Sequence, residues 1–262
     1  MANILTEIVA TKRLEVVQRK QNLPIGELEN AARAASAPRG FGTALRDKVA
    51  RGGAAVIAEC KKASPSKGLL RDPYEPQLIA ASYERGGATC LSVLTDEHYF
   101  QGNDRDLVIA REHCALPVLR KDFMIDTYQI TESRALGADC VLLIAACLSD
   151  SQLGELASAA TALGMDILIE VHDRTELERA LRLRTPLIGI NNRDLTNFVT
   201  DIEITVGLLK DIPEDRLVVS ESGIRLREDV DYLRNHDVHA FLVGEAFMRS
   251  QDPGERLAEL FS

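Results

Sequence analysis

Residues 117–123 read PVLRKDF, an apolar run that ends in charge. Five further runs share this form: VIAECKK (56–62), ILIEVHD (167–173), LIGINNRD (187–194), LVVSESGI (217–224) and FLVGEAF (241–247). Each is strand-length, β-branched or Leu-rich, and followed by a helical pattern. Parallel strands read this way when both faces are covered and their C-terminal ends deliver functional groups. A charge flanked by apolar residues is costly to bury unless it is paired or has chemistry to do. Six such ends pointing at one place imply an active site.

From Ala54 onward the chain alternates between strand-like and helical patterns. Strands are expected over about 54–60, 89–94, 117–121, 139–145, 166–171, 186–191, 216–221 and 240–244. Helices are expected over about 75–86, 104–113, 126–136, 149–163, 173–183, 201–210, 225–235 and 252–261. Asp126, Ser149 and Asp173 stand where N-caps belong. Gly86–Gly87 and Gly137 stand where helix C-terminal glycines belong. Eight βα units predict an α/β chain folded as a (β/α)8 TIM barrel spanning 54–262. A doubly wound open sheet fits less well, because no GxGxxG follows strand one.

Residues 1–50 read as a helical extension within one barrel domain, 1–262. Ile4, Leu5, Ile8 and Val9, with Leu14, Val16 and Val17, are read as its apolar stripe. Pro24 opens a second helix through Arg33, SAPRG (36–40) breaks it, and a short turn is expected over 43–49.

Composition narrows the function. The net charge is −9, which disfavours a nucleic-acid partner but leaves room for a local basic cleft and an anionic small substrate. Apolar stretches are strand-length, too short to span a membrane, and no signal-peptide core opens the chain, so a cytoplasmic protein is expected. The five cysteines fit no zinc spacing and imply no disulfide framework. His236 and His239 precede strand eight, at the end of a barrel associated with stability, so they are read as packing or surface groups. No metal is expected. Charge on the outer helices favours a monomer, and the pattern points to no partner protein.

Side chains two apart on a strand share a face. Glu59 pairs in this sense with Lys61, Lys121 with Phe123, Glu170 with His172, Asn191 with Arg193, and Glu221 with Gly223. If these faces point inward, the barrel mouth holds three glutamates, two lysines, an arginine and an asparagine. Arg120, Asp122 and Lys62 then point outward and read as structural ion pairs. Barrel phosphates usually sit on the loops after strands seven and eight, near a short extra helix. Here those loops are SESGI and VGEAFM, with Gly223 and Gly244, and the run 245–249 can supply the helix. SPSKG (64–68), with Ser64, is a third candidate loop.

AECKKASPSKG, LRKDF, LIEVHD, GINNRDL, VSESGI and FLVGEAFM closely resemble the indole-3-glycerol phosphate synthase family. The resemblance spans the whole chain, helical extension included. It implies closure of the indole ring of 1-(2-carboxyphenylamino)-1-deoxyribulose 5-phosphate, with loss of carbon dioxide and water, in tryptophan biosynthesis and without cofactor or metal. It implies function at Glu59, Lys61, Ser64, Lys121, Phe123, Glu170, Asn191, Arg193, Glu221, Ser222, Gly223, Leu242, Gly244 and Glu245. His172 departs from the amide or small polar residue more common in the family, so no role carries over to it.

The residues agree with that chemistry. Lys121 is the expected general acid for the alkoxide, since neighbouring glutamates favour its charged form. Glu59 and Glu170 can stabilise positive charge on the ring nitrogen. Glu170 is the expected base in dehydration, and Lys61 holds the substrate carboxylate and can then act as acid; which lysine serves which step stays open. Phe123 is either a wall for the aromatic ring or a plain core residue. Arg193 either binds a carboxylate bidentately or pairs with Asp194 or another loop acid. Asn191 reaches a sugar hydroxyl or orients Glu170, and Glu221 takes a ribulose hydroxyl. Two rivals remain at this stage: another phosphosugar isomerase or Schiff-base aldolase, and a phosphate-binding barrel without chemistry.

Overall fold

The computed structural model describes residues 4–194 and 198–262; Leu195, the last residue of GINNRDL, lies outside them. Eight parallel strands close into a barrel. They are β1 (Ala55–Cys60), β2 (Cys90–Leu94), β3 (Val118–Lys121), β4 (Cys140–Ile144), β5 (Asp166–Val171), β6 (Leu187–Asn191), β7 (Leu217–Glu221) and β8 (Ala240–Val243). Each pairs with its sequence neighbours, and β1 closes the ring by pairing Ala55 with Ala240 of β8 and Ile57 with Cys90 of β2.

Three helices precede the barrel: α1 (Ile4–Asn22), α2 (Ile25–Ala34) and α3 (Phe41–Ala50). The barrel helices are α4 (Pro76–Arg85), α5 (Glu97–Phe100), α6 (Asp104–Glu112), α7 (Thr127–Ala135), α8 (Asp150–Ala162), α9 (Arg174–Ala180), α10 (Glu203–Leu209), α11 (Arg227–Arg234), α12 (Glu245–Met248) and α13 (Pro253–Phe261). The expected caps form: Asp126 accepts from the Tyr128 N–H, Ser149 from Gln152 and Asp173 from Glu176. Gly137 adopts a left-handed φ of 93°, which a residue with a Cβ rarely takes. The expected turn over 43–49 is a full helix, α3, and a 3-10 turn (Ala145–Cys147) and the four-residue α5 have no counterpart in the sequence reading.

Strand alternation divides the apolar residues into two sets. Ala55, Ile57, Leu119, Leu168, Leu187, Val219, Ala240 and Leu242 fill the barrel, with Phe41 and Leu45 of α3 packed among them. Val56, Ala58, Leu91, Val93, Val118, Ile167, Ile169 and Phe241 pack against the helix layer. Because the side-chain period is two, the inward set continues into Glu59, Lys121, Glu170, Asn191 and Glu221 at the strand ends. The outward reading of Arg120 also holds: it is buried in the helix layer, donating to Glu132 Oε2 at 2.9 Å and Asp104 Oδ1 at 2.7 Å. Lys62 lies close enough to Asp106 to draw that carboxyl down, against burial that lifts it to about 6.

The segment around α3 is attached at the N-terminal ends of the strands. The Gly42 N–H donates to Asp166 Oδ2 at 2.9 Å, and Arg39 donates to the Cys114 and Leu116 carbonyls at 2.8 Å. On α1 the buried face differs from the expected stripe. Leu14 is 73% exposed and Val17 55%, while Leu5, Ile8, Lys12 and Val16 are buried. The face is set by contact with the barrel, and it includes a charge that an apolar stripe would leave out.

Candidate active site

A cavity opens at the C-terminal ends of the strands, and all fourteen candidate residues line it. Lys121 of β3 stands at its centre. Its ammonium donates to Glu170 Oε2 of β5 at 2.8 Å and to Glu221 Oε2 of β7 at 3.0 Å. Asn191 of β6 donates to the other Glu170 oxygen at 3.0 Å, which fixes the carboxylate plane. On β1, Lys61 Nζ lies 2.5 Å from Glu59 Oε2. Glu59, Glu170 and Glu221 are each almost wholly buried.

One ammonium between two buried carboxylates cannot satisfy both equally. For Lys121, burial opposes the charge, but Glu170, Glu221 and Glu59 outweigh it and raise the pKa well above the ordinary lysine value. For Glu170, burial is likewise outweighed, by Lys121 and His172, and the carboxyl is held far below its usual range. Glu221 goes the other way: burial and the repulsion of Glu170 and Glu59 overcome Lys121 and lift it to about 7. Its Oε1 has no hydrogen-bond partner among the described residues. Gly189 of β6 makes room for that oxygen, since a Cβ there would overlap it.

His172, left without a role by the sequence pattern, completes a line of alternating charge. Its Nδ1 lies 3.0 Å from Glu176 Oε2 of α9 and its Nε2 lies 3.4 Å from Glu170 Oε1. Burial lowers the imidazole pKa, but the two glutamates overcome it and raise it from 6.5 to about 10. The folded protein therefore holds a proton there that the unfolded chain releases above pH 6.5. Stability from this pair is fully present below that value and is lost as pH rises towards 10, by at most about 1.4 kcal/mol per pH unit. Chemical denaturation of a His172→Asn variant across this range is expected to show a flatter slope than the parent protein; an unchanged slope would place the titration elsewhere.

The loops close the other side. Ser222 (φ 64°) and Gly223 (φ 83°) after β7 are both left-handed, an unusual backbone for a serine and a mark of functional sites. After β8, Gly244 leads into α12, the short helix expected there, and a Cβ on Gly244 would overlap the Glu59 carboxylate. The Glu245 side chain meets Arg193 at 3.6 Å and Arg249 at 3.3 Å, so it is engaged sideways by arginines. Arg193 thus pairs with a loop acid, Glu245, and donates to the Ser66 hydroxyl at 3.4 Å. Ser64 sits in a two-stranded ribbon (Ala63–Ser64 with Gly68–Leu69), absent from the sequence reading, whose Pro65 and Ser66 also face the cavity.

The apolar wall is larger than expected. Phe123 and Leu242 are joined by Leu94, Phe100, Leu142 and Ile144, and by Ile4, Leu5 and Ile8 of α1. The Phe100 and Phe123 rings lie 6.1 Å apart and tilted. An aromatic-sized apolar region, a charged centre and two glycine-bearing loops therefore share one cavity.

The family model for indole-3-glycerol phosphate synthase matches residues 5–260. The indole-3-glycerol phosphate synthase of Leptothrix cholodnii is 58% identical over 262 residues, covering 100% of both chains. That of Acidithiobacillus ferrooxidans is 58% identical over 261 residues, covering 100% of this chain and 99% of its own. By fold alone the chain is similar to N-acetylmannosamine-6-phosphate 2-epimerase from Clostridium perfringens (TM-score 0.60, 17% identity, covering 80% of this chain and 93% of that one). It is also similar to 3-hexulose-6-phosphate synthase from Salmonella typhimurium (TM-score 0.62, 10% identity, covering 79% and 98%). No described helix is long and apolar enough to cross a membrane. With its matched length and its near-complete relatives, this chain belongs to the indole-3-glycerol phosphate synthase family.

Proposed function

We propose that the cavity converts 1-(2-carboxyphenylamino)-1-deoxyribulose 5-phosphate to indole-3-glycerol phosphate, with Lys121 as acid and Glu170 as base. The observation that carries the assignment is the Lys121 ammonium held between Glu170 and Glu221 at the barrel mouth. The substrate ring lies against Phe123 and Leu242, and its carboxylate meets Lys61 and Arg193. Ser64, Gly223, Gly244 and the Glu245 N–H take the phosphate, with Ser222 beside them. Glu221 accepts from a ribulose hydroxyl.

Ring closure forms a carbon–carbon bond from the aromatic carbon to the ketone carbon, and Lys121 gives its proton to the resulting alkoxide. Positive charge on the ring nitrogen is stabilised by Glu59 and Glu170. Carbon dioxide then leaves, and its bonding electrons return to the ring. Dehydration removes the hydroxyl, with a proton from Lys61, and a proton from the substrate, to Glu170. The charge pattern couples these steps. While Lys121 is an ammonium, it depresses the basicity of Glu170. Once Lys121 has donated its proton, that depression ends, and Glu170 becomes a stronger base for the later step.

A Schiff-base reading would need Lys121 neutral, whereas its surroundings favour the charge. Borohydride added during turnover is expected to leave the protein mass unchanged. A substrate adduct reduced onto Lys121 would overturn the acid role in favour of an imine. The same reading takes the protein as a cytoplasmic monomer, supported by the charged outward faces of the barrel helices; sedimentation as a dimer would count against that part.

A further inference from the structure

Lys12 is 3% exposed, on a helix that precedes the barrel and far in sequence from every residue assigned above. Its ammonium lies 2.7 Å from Glu15, 2.9 Å from Asp96 Oδ2 and 2.9 Å from Asp122 Oδ1. The two aspartates already have structural work. Asp96 Oδ1 caps α5 by accepting from the Tyr99 and Phe100 N–H groups at 2.8 and 3.2 Å. Asp122 accepts from the Phe123 N–H at 2.8 Å and from the Thr95 hydroxyl at 2.6 Å. One ammonium thus joins α1 to the segment that ends in Phe100 and to the segment that carries Phe123.

All three segments contribute to the apolar wall of the cavity. Ile8 and Leu5 stand four and seven residues before Lys12, on the same helix face, and both line the cavity with Phe100 and Phe123. Fixing the Lys12 side chain therefore fixes the rotation and depth of the helix face that covers the aromatic region. The C-terminal half of α1 has its own anchors: Arg19 pairs with Glu132 at 2.9 Å, Lys20 with Asp126 at 2.7 Å, and the Tyr128 hydroxyl donates to the Arg19 and Leu23 carbonyls. A change at Lys12 is thus confined to the half of the helix that touches the site.

We propose that Lys12 is a positioning residue for substrate: by pairing with Asp96 and Asp122 together, it seats Leu5 and Ile8 over the ring of the carboxyphenylamino group, against Phe100 and Phe123. This rests on the functional reading above for the identity of the ring. A buried ammonium between Asp96 and Asp122 joins three segments at one point, which an apolar residue would not do. An apolar side chain would have no directional preference for the two aspartates.

The test measures KM and kcat for Lys12→Met, with affinity for the substrate analogue reduced at its ketone and, separately, for inorganic phosphate. The analogue is expected to bind roughly tenfold more weakly and KM to rise in step, while kcat and the phosphate affinity change less than about threefold. Equal weakening of analogue and phosphate would overturn the proposal, because general loosening of the barrel would move both. If Lys12→Met does not fold, Ile8→Ala keeps the ion cluster and trims the helix face alone. It is expected to show the same selective loss, and analogue affinity within about twofold of the parent would sink the proposal. Turnover by the unaltered protein is the control: its absence would count against the functional reading and not against Lys12.

Discussion

Lys121→Ala is expected to lower kcat by roughly 100- to 10,000-fold, the range over which a positioned acid contributes. Affinity for the reduced substrate analogue is expected to change by no more than a few-fold, since ring, carboxylate and phosphate contacts remain. The loss should appear at the first chemical step. In a single turnover with enzyme in excess, carbon dioxide release and indole formation are therefore expected to slow together, because decarboxylation follows ring closure. The variant also leaves Glu170 and Glu221 facing each other without their ammonium. Glu221, already lifted to about 7, is expected to take a proton and relieve that repulsion, so the fold survives at neutral pH. A fall in analogue affinity as large as the fall in kcat would contradict the acid role and make Lys121 a binding residue.

Glu170→Gln is expected to lose a similar factor, roughly 100- to 10,000-fold in kcat, but at a different step. The amide is nearly isosteric but keeps one acceptor oxygen, so in this geometry it accepts from Asn191 or from Lys121 and not from both. Ring closure and decarboxylation depend on Lys121, whose proton becomes easier to give when one neighbouring negative charge is removed. Dehydration loses its base. Carbon dioxide is therefore expected to appear ahead of indole in a single turnover. Simultaneous slowing of both products would move the part played by Glu170 to the ring-closing step.

Much of this was legible in the sequence because a strand has a period of two and a buried strand has no place for idle charge. Those two facts placed Glu59, Lys121, Glu170, Asn191 and Glu221 on one interior face, and the structure places them there. The same rule separated Arg120, one residue from Lys121, into the helix layer. What the rule missed follows from its own terms. It searched for strand ends that carry charge, so β4, which ends in Leu142, Leu143 and Ile144, and β2, which ends in Leu94, drew no attention. Leu94, Leu142 and Ile144 are part of the apolar wall, while Leu143 faces the helix layer. Phe100 sits on a four-residue helix too short to show a period, although Asp96 ahead of it is a cap signal.

Lys12 was missed for a deeper reason. A lysine within an amphipathic helix reads as solvated, and its burial here depends on two aspartates that lie about 85 and 110 residues further along the chain. His172 was likewise opaque: one partner, Glu176, is visible at helical distance, but the other requires the β5 strand end to turn Glu170 towards it. Local pattern reports which face a residue occupies. It reports charge pairing only where both partners lie within the same element.

The most direct test of ring closure mixes the purified protein with 1-(2-carboxyphenylamino)-1-deoxyribulose 5-phosphate, with a metal chelator present, and follows the absorbance and fluorescence of the indole product. A steady rise in indole-glycerol phosphate that the chelator leaves unchanged is expected. Substrate that binds while no indole forms would contradict it, leaving a barrel that holds the phosphosugar without closing the ring.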